Sequence, residues 1–531
     1  MSKVPVDENE KLNPDQINSG KRDADNKSTN TIITVDNNEE HEDNQHTFVS
    51  TNSNKKTYVE GDKNSDPKLL WTDLCPQILF CCIALFMACQ PGINLAYSNN
   101  LLHYMPSLNN GQFSWITSIL ALFTPVGALF IGVIMDRIGR KKSCLLTCIP
   151  LLMSWILGAL SSSDSIYLFV VSRTLAGIGA GMTTVGLVYV AEISHSSYKQ
   201  LFLALNSVFF SGGVLLSTSI LQLSWNVINF AFIGFTVINM ALIVLFMPES
   251  PIWLLKFQSP GHVTKAKAAV KRIYSQNHQV FQAEWSRLKT MSAGNEATAN
   301  DHRPSFFTSL RTSPAAYKPF GIMVMLIFLQ QVTGVYPVIS YALFIHKSIV
   351  PDAFSVSEIQ FVTVLGAVRF AGALFVCPLS FYVGRKPLLT VSCLGMTLSA
   401  VLVVFANRKT SQPADDAAVA MSSICCVLLY VFSSSLGVLA FPWTLTCELL
   451  STSIRAVGGC ILVSYAYLLM FVVMKVFPYI WEAIGVDGVF AVFGIMSLAM
   501  AVYVHLVLPE TLGKSFKEIE DYFTAGTSSE K

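Results

Sequence analysis

Long apolar runs constrain this chain more than any other feature. Twelve of them recur, at about 72–99, 113–135, 143–162, 166–191, 200–221, 226–247, 318–344, 357–383, 386–406, 420–447, 457–480 and 485–508. Each is long enough to cross a hydrocarbon core of ~30 Å. Lipid offers the backbone no hydrogen bonds, so a run that crosses it must satisfy itself as a helix. The fold class expected is therefore an all-α membrane protein. Charged residues make up only 13% of the chain, about half of what a soluble protein carries. The net charge of +2 gives no steering toward nucleic acid.

The twelve cysteines lie almost wholly inside the apolar runs, as Cys81, Cys82, Cys425 and Cys426 do. They show no metal-ligand spacing and read as small packing residues. Residues 1–68 are different in kind. Asn, Asp, Glu, Lys and Ser dominate, as in DNNEEHEDNQ from Asp36 to Gln45. Too little apolar surface is present for a core, so a disordered cytoplasmic tail is expected. The start lacks a basic segment followed by an apolar one, so no cleavable signal is expected. The sequon at Asn26 would go unused in the cytosol.

Basic residues mark one side of the bilayer. They cluster in DRIGRKK (136–142), in the stretch holding Lys265, Lys267, Lys271 and Arg272, and in GRK (384–386). Opposite loops hold few beyond Lys347, Arg408 and Lys409. The basic side is expected to be cytoplasmic, with both termini inside. Three landmarks also recur in order, roughly 250 residues apart. DRIGRKK pairs with VGRKP, AEISHSSYK with CELLSTSIR, and PESP with PETLG. In the second pair a Glu precedes a base by seven residues, Glu192 to Lys199 and Glu448 to Arg455. A duplicated six-helix unit follows, and two such halves around a cavity describe a carrier. The expected layout is a tail at 1–68, a half at 69–247, a linker with short helices at 248–316, a second half at 317–508 and a tail at 509–531. KAKAAVKRIY, from Lys265, has helix-forming composition, and the linker helices are expected to brace the two halves.

These landmarks resemble the sugar porter family of the major facilitator superfamily. The residues that carry the resemblance are DRIGRKK, Arg173 with LAGIGAG, YVAEIS, PESPIWLL, QQVTGV, GRKP, PWTLTCELL and PETLG. They cover about 75–515, and the insect trehalose-transporter-like branch is nearest in texture. The resemblance implies twelve helices in two halves and alternating access. It also implies a charged cytoplasmic gate of Asp136, Arg137, Arg140, Arg173, Glu192, Arg385, Glu448 and Arg455. Opposite charges joining the halves would lock one state and part in the other, a difference of a few kcal/mol. Glycine at 139 permits the tight turn between helices. One departure stands out: Phe381 and Tyr382 occupy positions where the family pattern has an acid and often a base.

For the substrate cavity the resemblance implies Gln330, Gln331, Tyr341 and Trp443, kept in this sequence. Paired amides can donate to and accept from hydroxyls, and an indole can lie against a sugar ring. Other cavity positions are changed, to Ser207, Tyr336 and Arg369, with Ala466 and Met470 in place of further amides. Core filling by Trp443 and interface packing by the glutamines are the plainer readings. Three readings stay open for Arg369: a substrate contact, a structural ion pair, or a place nearer an interface. A charged residue in mid-span faces water, a partner or a site. Proton-coupled relatives have an Asp where Gln90 stands, which favours facilitated diffusion. Lys475 and His505 sit near span ends and read as snorkelling or packed.

The function expected is movement of a hexose or trehalose-like sugar across the cell membrane by a monomer. Its partners are the sugar and the bilayer, with no nucleic acid and no cofactor. No nucleophile–base pair points to an enzyme. Two alternatives stand beside it: a carrier of an anionic solute recognised by Arg369, and a non-transporting nutrient sensor on the same fold.

Overall fold

A computed structural model describes residues 71–104, 109–161, 166–195, 197–256, 260–274, 278–299, 306–350, 357–408, 416–451, 454–514 and 516–525. The tail expected at 1–68 and Lys409 lie outside the described residues. All described secondary structure is helical. The first half comprises α1 (Leu74–Tyr104), α2 (Asn110–Ile138), α3 (Arg140–Leu160), α4 (Ile166–Ile193), α5 (Lys199–Ser219) and α6 (Trp225–Phe246). The second comprises α7 (Pro314–Ser340), α8 (Glu358–Tyr382), α9 (Arg385–Arg408) and α10 (Asp416–Ser435). The helix Arg455–Val507 bends at Gly485, whose φ is 67°, and supplies α11 and α12 as its two legs. Among the described residues this makes twelve crossings.

Successive helices alternate in direction. The DRIGRKK and GRK turns therefore share one end of the molecule, called the basic end here, with the α1–α2 and α7–α8 connections at the far end. Exposed faces are apolar, with Val133, Leu245, Phe375 and Leu506 among the most exposed large side chains, as expected where lipid is the solvent. Within the first half, α2 and α4 approach closely. A Cβ on Gly181 would fall 2.0 Å from the Thr124 carbonyl oxygen, and one on Gly177 would fall 2.4 Å from that of Leu120. Small residues let membrane helices gain contact where hydrophobic burial gives no advantage. The halves meet where α2 packs on α11 and α5 on α8.

Several single runs of the sequence are broken helices: the first has a 3-10 turn at Phe86–Ala88 and the fourth is interrupted at Thr183. α7 is interrupted at Thr333 and Gly334, where φ is 78°, before Val335–Ser340, and resumes after Tyr341 as Ala342–Ile349. A Cβ on Gly334 would sit 2.1 Å from the Phe493 ring, so this position requires glycine on two counts. The tenth run divides into α10 and the short helix Phe441–Leu449.

Among the described residues, each linker helix docks under one half. Pro260–Ile273 and His278–Ala299 dock under the first half, burying Val270, Ile273 and Val280 in its core. The Tyr274 hydroxyl donates to the Ile193 carbonyl at 3.0 Å, and His195 Nε2 lies 3.3 Å from Glu284. Phe306–Thr312 lies under the second half, with Phe306 against Phe320. The closing helix Phe516–Ala525 buries Ile519 and Phe523, and Lys318 Nζ donates to the Phe523 carbonyl at 3.2 Å.

Candidate functional site

The motif charges at the basic end pair inside their own halves. Arg140 opens α3, and its Nε and Nη2 donate to Glu192 Oε1 of α4 at 3.0 and 2.7 Å. Its Nη1 donates to the Met135 carbonyl at 3.1 Å and lies 3.0 Å from Asp136. In the second half Arg385 opens α9, and its Nη2 donates to Glu448 Oε1 at 3.2 Å. Its Nη1 donates to the Ser380 carbonyl. The ring expected to join the halves is thus two separate clamps in this conformation.

Glu192 and Glu448 are thus held by the arginines that open α3 and α9. Lys199 lies within electrostatic range of Arg455 across the halves, a like-charged approach. Arg455 Nε and Nη2 donate to the Leu450 carbonyl at 3.1 and 2.9 Å. Arg137 is exposed beside the first clamp.

Arg173 does not belong to this end. It stands 19 residues before Glu192 on α4, about 28 Å along a helix. Its guanidinium donates to the Asn94 side chain at 3.1 Å and to the Asn94 carbonyl at 2.8 Å, over the Tyr97 ring. It ties α4 to α1 inside the first half.

The third repeated landmark completes both clamps, through residues the sequence reading did not single out. Glu249 Oε1 accepts the backbone N–H groups of Arg140 and Lys141 at 2.7 and 3.1 Å, which caps the start of α3. Glu510 does the same for Arg385 and Lys386 at 2.9 and 3.1 Å. Ser250 donates to Glu192, and Thr511 donates to Glu448 at 2.7 Å. Burial raises the Glu510 pKa, but N–H groups of Leu512, Arg385, Lys386 and Thr511 outweigh it and hold the carboxyl below its usual value. A Cβ on Gly139, at φ 92°, would meet Glu249 Oε2 at 2.5 Å, and one on Gly384 would meet Glu510 Oε2 at 2.1 Å. Glycine is therefore needed at both places for carboxylate access, and at 139 for the turn as well. The signal was available: PES and PET repeat the acid at matching places.

At mid-depth, Gln330 Nε2 donates to the Val438 carbonyl at 2.8 Å. Gln330 Oε1 and both amide atoms of Gln331 are buried without a hydrogen-bond partner. Trp443 Nε1 donates to the Tyr336 hydroxyl at 3.3 Å, and its ring lies 5.7 Å from that of Tyr467. Arg369 is buried on α8, its guanidinium 5.1 Å from the Phe210 ring of α5, with Tyr336 as its electrostatic neighbour. Ser207 is half-buried on α5, one turn before Phe210. Ala466 and Met470 are buried on α11. Gln90 on α1 donates to Thr236 Oγ1 at 2.8 Å and accepts from Trp155 Nε1 at 3.1 Å, so neutral groups satisfy it. Phe210 and Tyr467 were not picked out from sequence, because aromatic residues abound in every span.

Tyr341 lies elsewhere, in a seal at the far end. Its hydroxyl donates to the Met474 carbonyl at 2.8 Å, and its ring packs on Phe113 and Phe477. There Asn99 Nδ2 donates to the Ile339 carbonyl at 2.9 Å and its Oδ1 accepts the Leu343 N–H at 3.0 Å. Ser340 donates to the Leu95 carbonyl at 3.1 Å and Thr363 to that of Thr218 at 3.1 Å. Lys475 Nζ donates to Ser114 at 2.8 Å and lies 4.3 Å from the Trp115 ring centre. The contacts of Tyr341 with Met474 and Phe477 lie within the second half; the others join the two halves. At the basic end the Tyr198 and Phe381 rings face one another across the halves at 6.5 Å, nearly parallel.

A family profile described as "Sugar (and other) transporter" matches residues 25–523. The facilitated trehalose transporter Tret1 of Bombyx mori is 25% identical over 478 residues, 88% of this chain and 90% of that protein. Tret1 of Polypedilum vanderplanki is 28% identical over 414 residues, covering 77% and 79%. Among solved structures, the proton:xylose symporter XylE bound to 6-bromo-6-deoxy-D-glucose superposes with a TM-score of 0.68. It is 17% identical, over 85% of this chain and 100% of that one. An inward-open form of XylE from E. coli gives 0.65 at 17% identity. At that identity the structural likeness establishes the major facilitator fold.

Proposed function

The chain belongs to the sugar (and other) transporter family, and from that premise we propose that it is a facilitative carrier of a hexose- or trehalose-sized sugar. It works by alternating access in the cell membrane, as a monomer with both termini cytoplasmic. The observation that carries the reading is the mid-depth set of polar and aromatic groups between the halves. Gln331 offers a donor and an acceptor without partners, Gln330 an acceptor, and Trp443 and Tyr336 an aromatic wall. Sugar sites combine neutral hydrogen bonds with such a face. The basic end is assigned to the cytoplasm by its lysines and arginines. With the far-end seal fastened, the halves are set for release toward that side. Facilitated rather than proton-driven movement is supported by Gln90, which cannot titrate and is held by Thr236 and Trp155.

Uptake of labelled trehalose, glucose and fructose into oocytes expressing the chain tests this. Saturable uptake that is the same at about pH 6 and about pH 8 is expected, since no carboxylate stands at position 90. Absence of uptake of all three by protein at the cell surface would overturn the proposal.

A further inference from the structure

Arg369 is 2% exposed, and its Nε and Nη1 are buried without a hydrogen-bond partner. It lies eleven residues from Glu358 and thirteen from Tyr382 in the helix Glu358–Tyr382, so about 16 and 20 Å from the two ends of α8. Among the described spans, acids stand near the ends: Glu192, Glu448 and Asp136 at the basic end, Glu358, Glu482 and Asp487 at the far one. None reaches the guanidinium. Its neighbours are instead aromatic, Phe210 of α5 and Tyr336 of α7. Trp443 and Tyr467 stand behind Tyr336.

A guanidinium cannot shed its proton under ordinary conditions. An uncompensated charge at this depth is costly and marks a site. What the site lacks is an anion. A planar group with two acceptors, a carboxylate, matches the fork of donors best. The aromatic groups and the open amides of Gln330 and Gln331 on the adjoining stretch of α7 suit a ring bearing hydroxyls. We infer that this site takes a sugar acid of the hexuronate class, its carboxylate on Arg369 and its ring beside Tyr336 and Trp443. The inference rests on the sugar-carrier reading and names the substrate class of the same site. It has an electrical corollary. The loaded site is neutral and the empty site carries one positive charge, so reorientation of the empty carrier is the unfavourable step. Exchange of substrate for substrate is then faster than net uptake.

The test is uptake of labelled glucuronate and glucose by the full chain reconstituted in liposomes. Saturable glucuronate uptake is expected, accelerated several-fold by unlabelled glucuronate inside. Arg369→Gln should lower the ratio of glucuronate to glucose uptake about tenfold or more and abolish the acceleration, and Arg369→Lys, which keeps charge but loses the fork, should fall between. A ratio unchanged in Arg369→Gln overturns the inference. Wild-type protein that moves glucose but not glucuronate also overturns it and leaves the sugar reading standing; protein that moves neither overturns both. Thermal unfolding of the wild type gives a readout independent of any variant: glucuronate should raise Tm more than glucose does, and no shift with glucuronate counts against the site.

Discussion

In the first half Arg140 reaches two carboxylates, Glu192 at 2.7 Å and Asp136 at 3.0 Å; in the second, Arg385 reaches Glu448 alone, at 3.2 Å. The other parts of the two clamps correspond one to one: a glycine turn, a capping Glu, and a Ser or Thr that donates to the helix-end acid. Where Asp136 stands in the first half, Phe381 stands in the second and faces Tyr198 of the first half. Arg385 also has the Phe441 ring 5.8 Å away, and its Nε is buried without a partner. The first corner uses the position four residues before its arginine for charge within its own half, the second for contact across the molecule. The lesson is that a duplicated scaffold keeps its folding clamp twice and frees one copy of a position for a different task.

The comparison makes a ranked set of expectations. Glu448→Gln should have the largest effect, because it leaves Arg385, with a side chain only 3% exposed, without any carboxylate. A loss of about 3–5 kcal/mol is the scale for breaking a buried pair, read as a fall in Tm in detergent. Glu192→Gln should cost less, about half as much on the same scale, because Asp136 still faces Arg140. The reverse order would break the comparison.

Introducing the missing acid sharpens it. Phe381→Asp combined with Glu448→Gln should recover about 1–2 kcal/mol relative to Glu448→Gln alone, the scale of a charge-assisted bond. Phe381→Ala should cost about 1 kcal/mol or less by removing the aromatic contact. Last comes Asp136→Asn, which should change Tm least, within ~1 kcal/mol, since that side chain is 51% exposed.

Acid gives a further check. The Glu510 pKa is lowered in the folded chain, so its contribution is fully present above the ordinary carboxylate value and is lost as pH falls through the lowered one. Tm should be insensitive to this group from about pH 6 to about pH 8, and the acid-side decline should be shallower in Glu510→Gln.

Much of this was legible in the residues. Twelve apolar runs give twelve crossings, and the three repeated landmarks give the duplicated clamp. The particular partners were not legible. Glu192 and Lys199 are seven residues apart and look like a pair, but Arg140 comes from another helix and no spacing announces it. Arg173 carries a motif and a charge, yet its depth depends on counting turns from the far end. Tyr341 follows Gln331 by ten residues on one apolar run, and the breaks at Gly334 and Tyr341, invisible in composition, set its ring into the far-end seal. Arg369 was visible as an anomaly because one charge in an apolar run needs no partner to be noticed.

The break in α7 has a consequence for speed. The far-end seal rests on Val335–Ser340, a leaf of six residues hung between Gly334 and Tyr341. Its fastenings to Asn99 and Leu95 are hydrogen bonds worth about 1 kcal/mol each. A leaf that small can swing before the halves rock, so the far mouth has a latch time of its own. Residues that tighten the leaf would lengthen the stay of cargo, and residues that loosen it would let cargo slip back; Tyr336, on the same leaf, ties that timing to the wall of the proposed site.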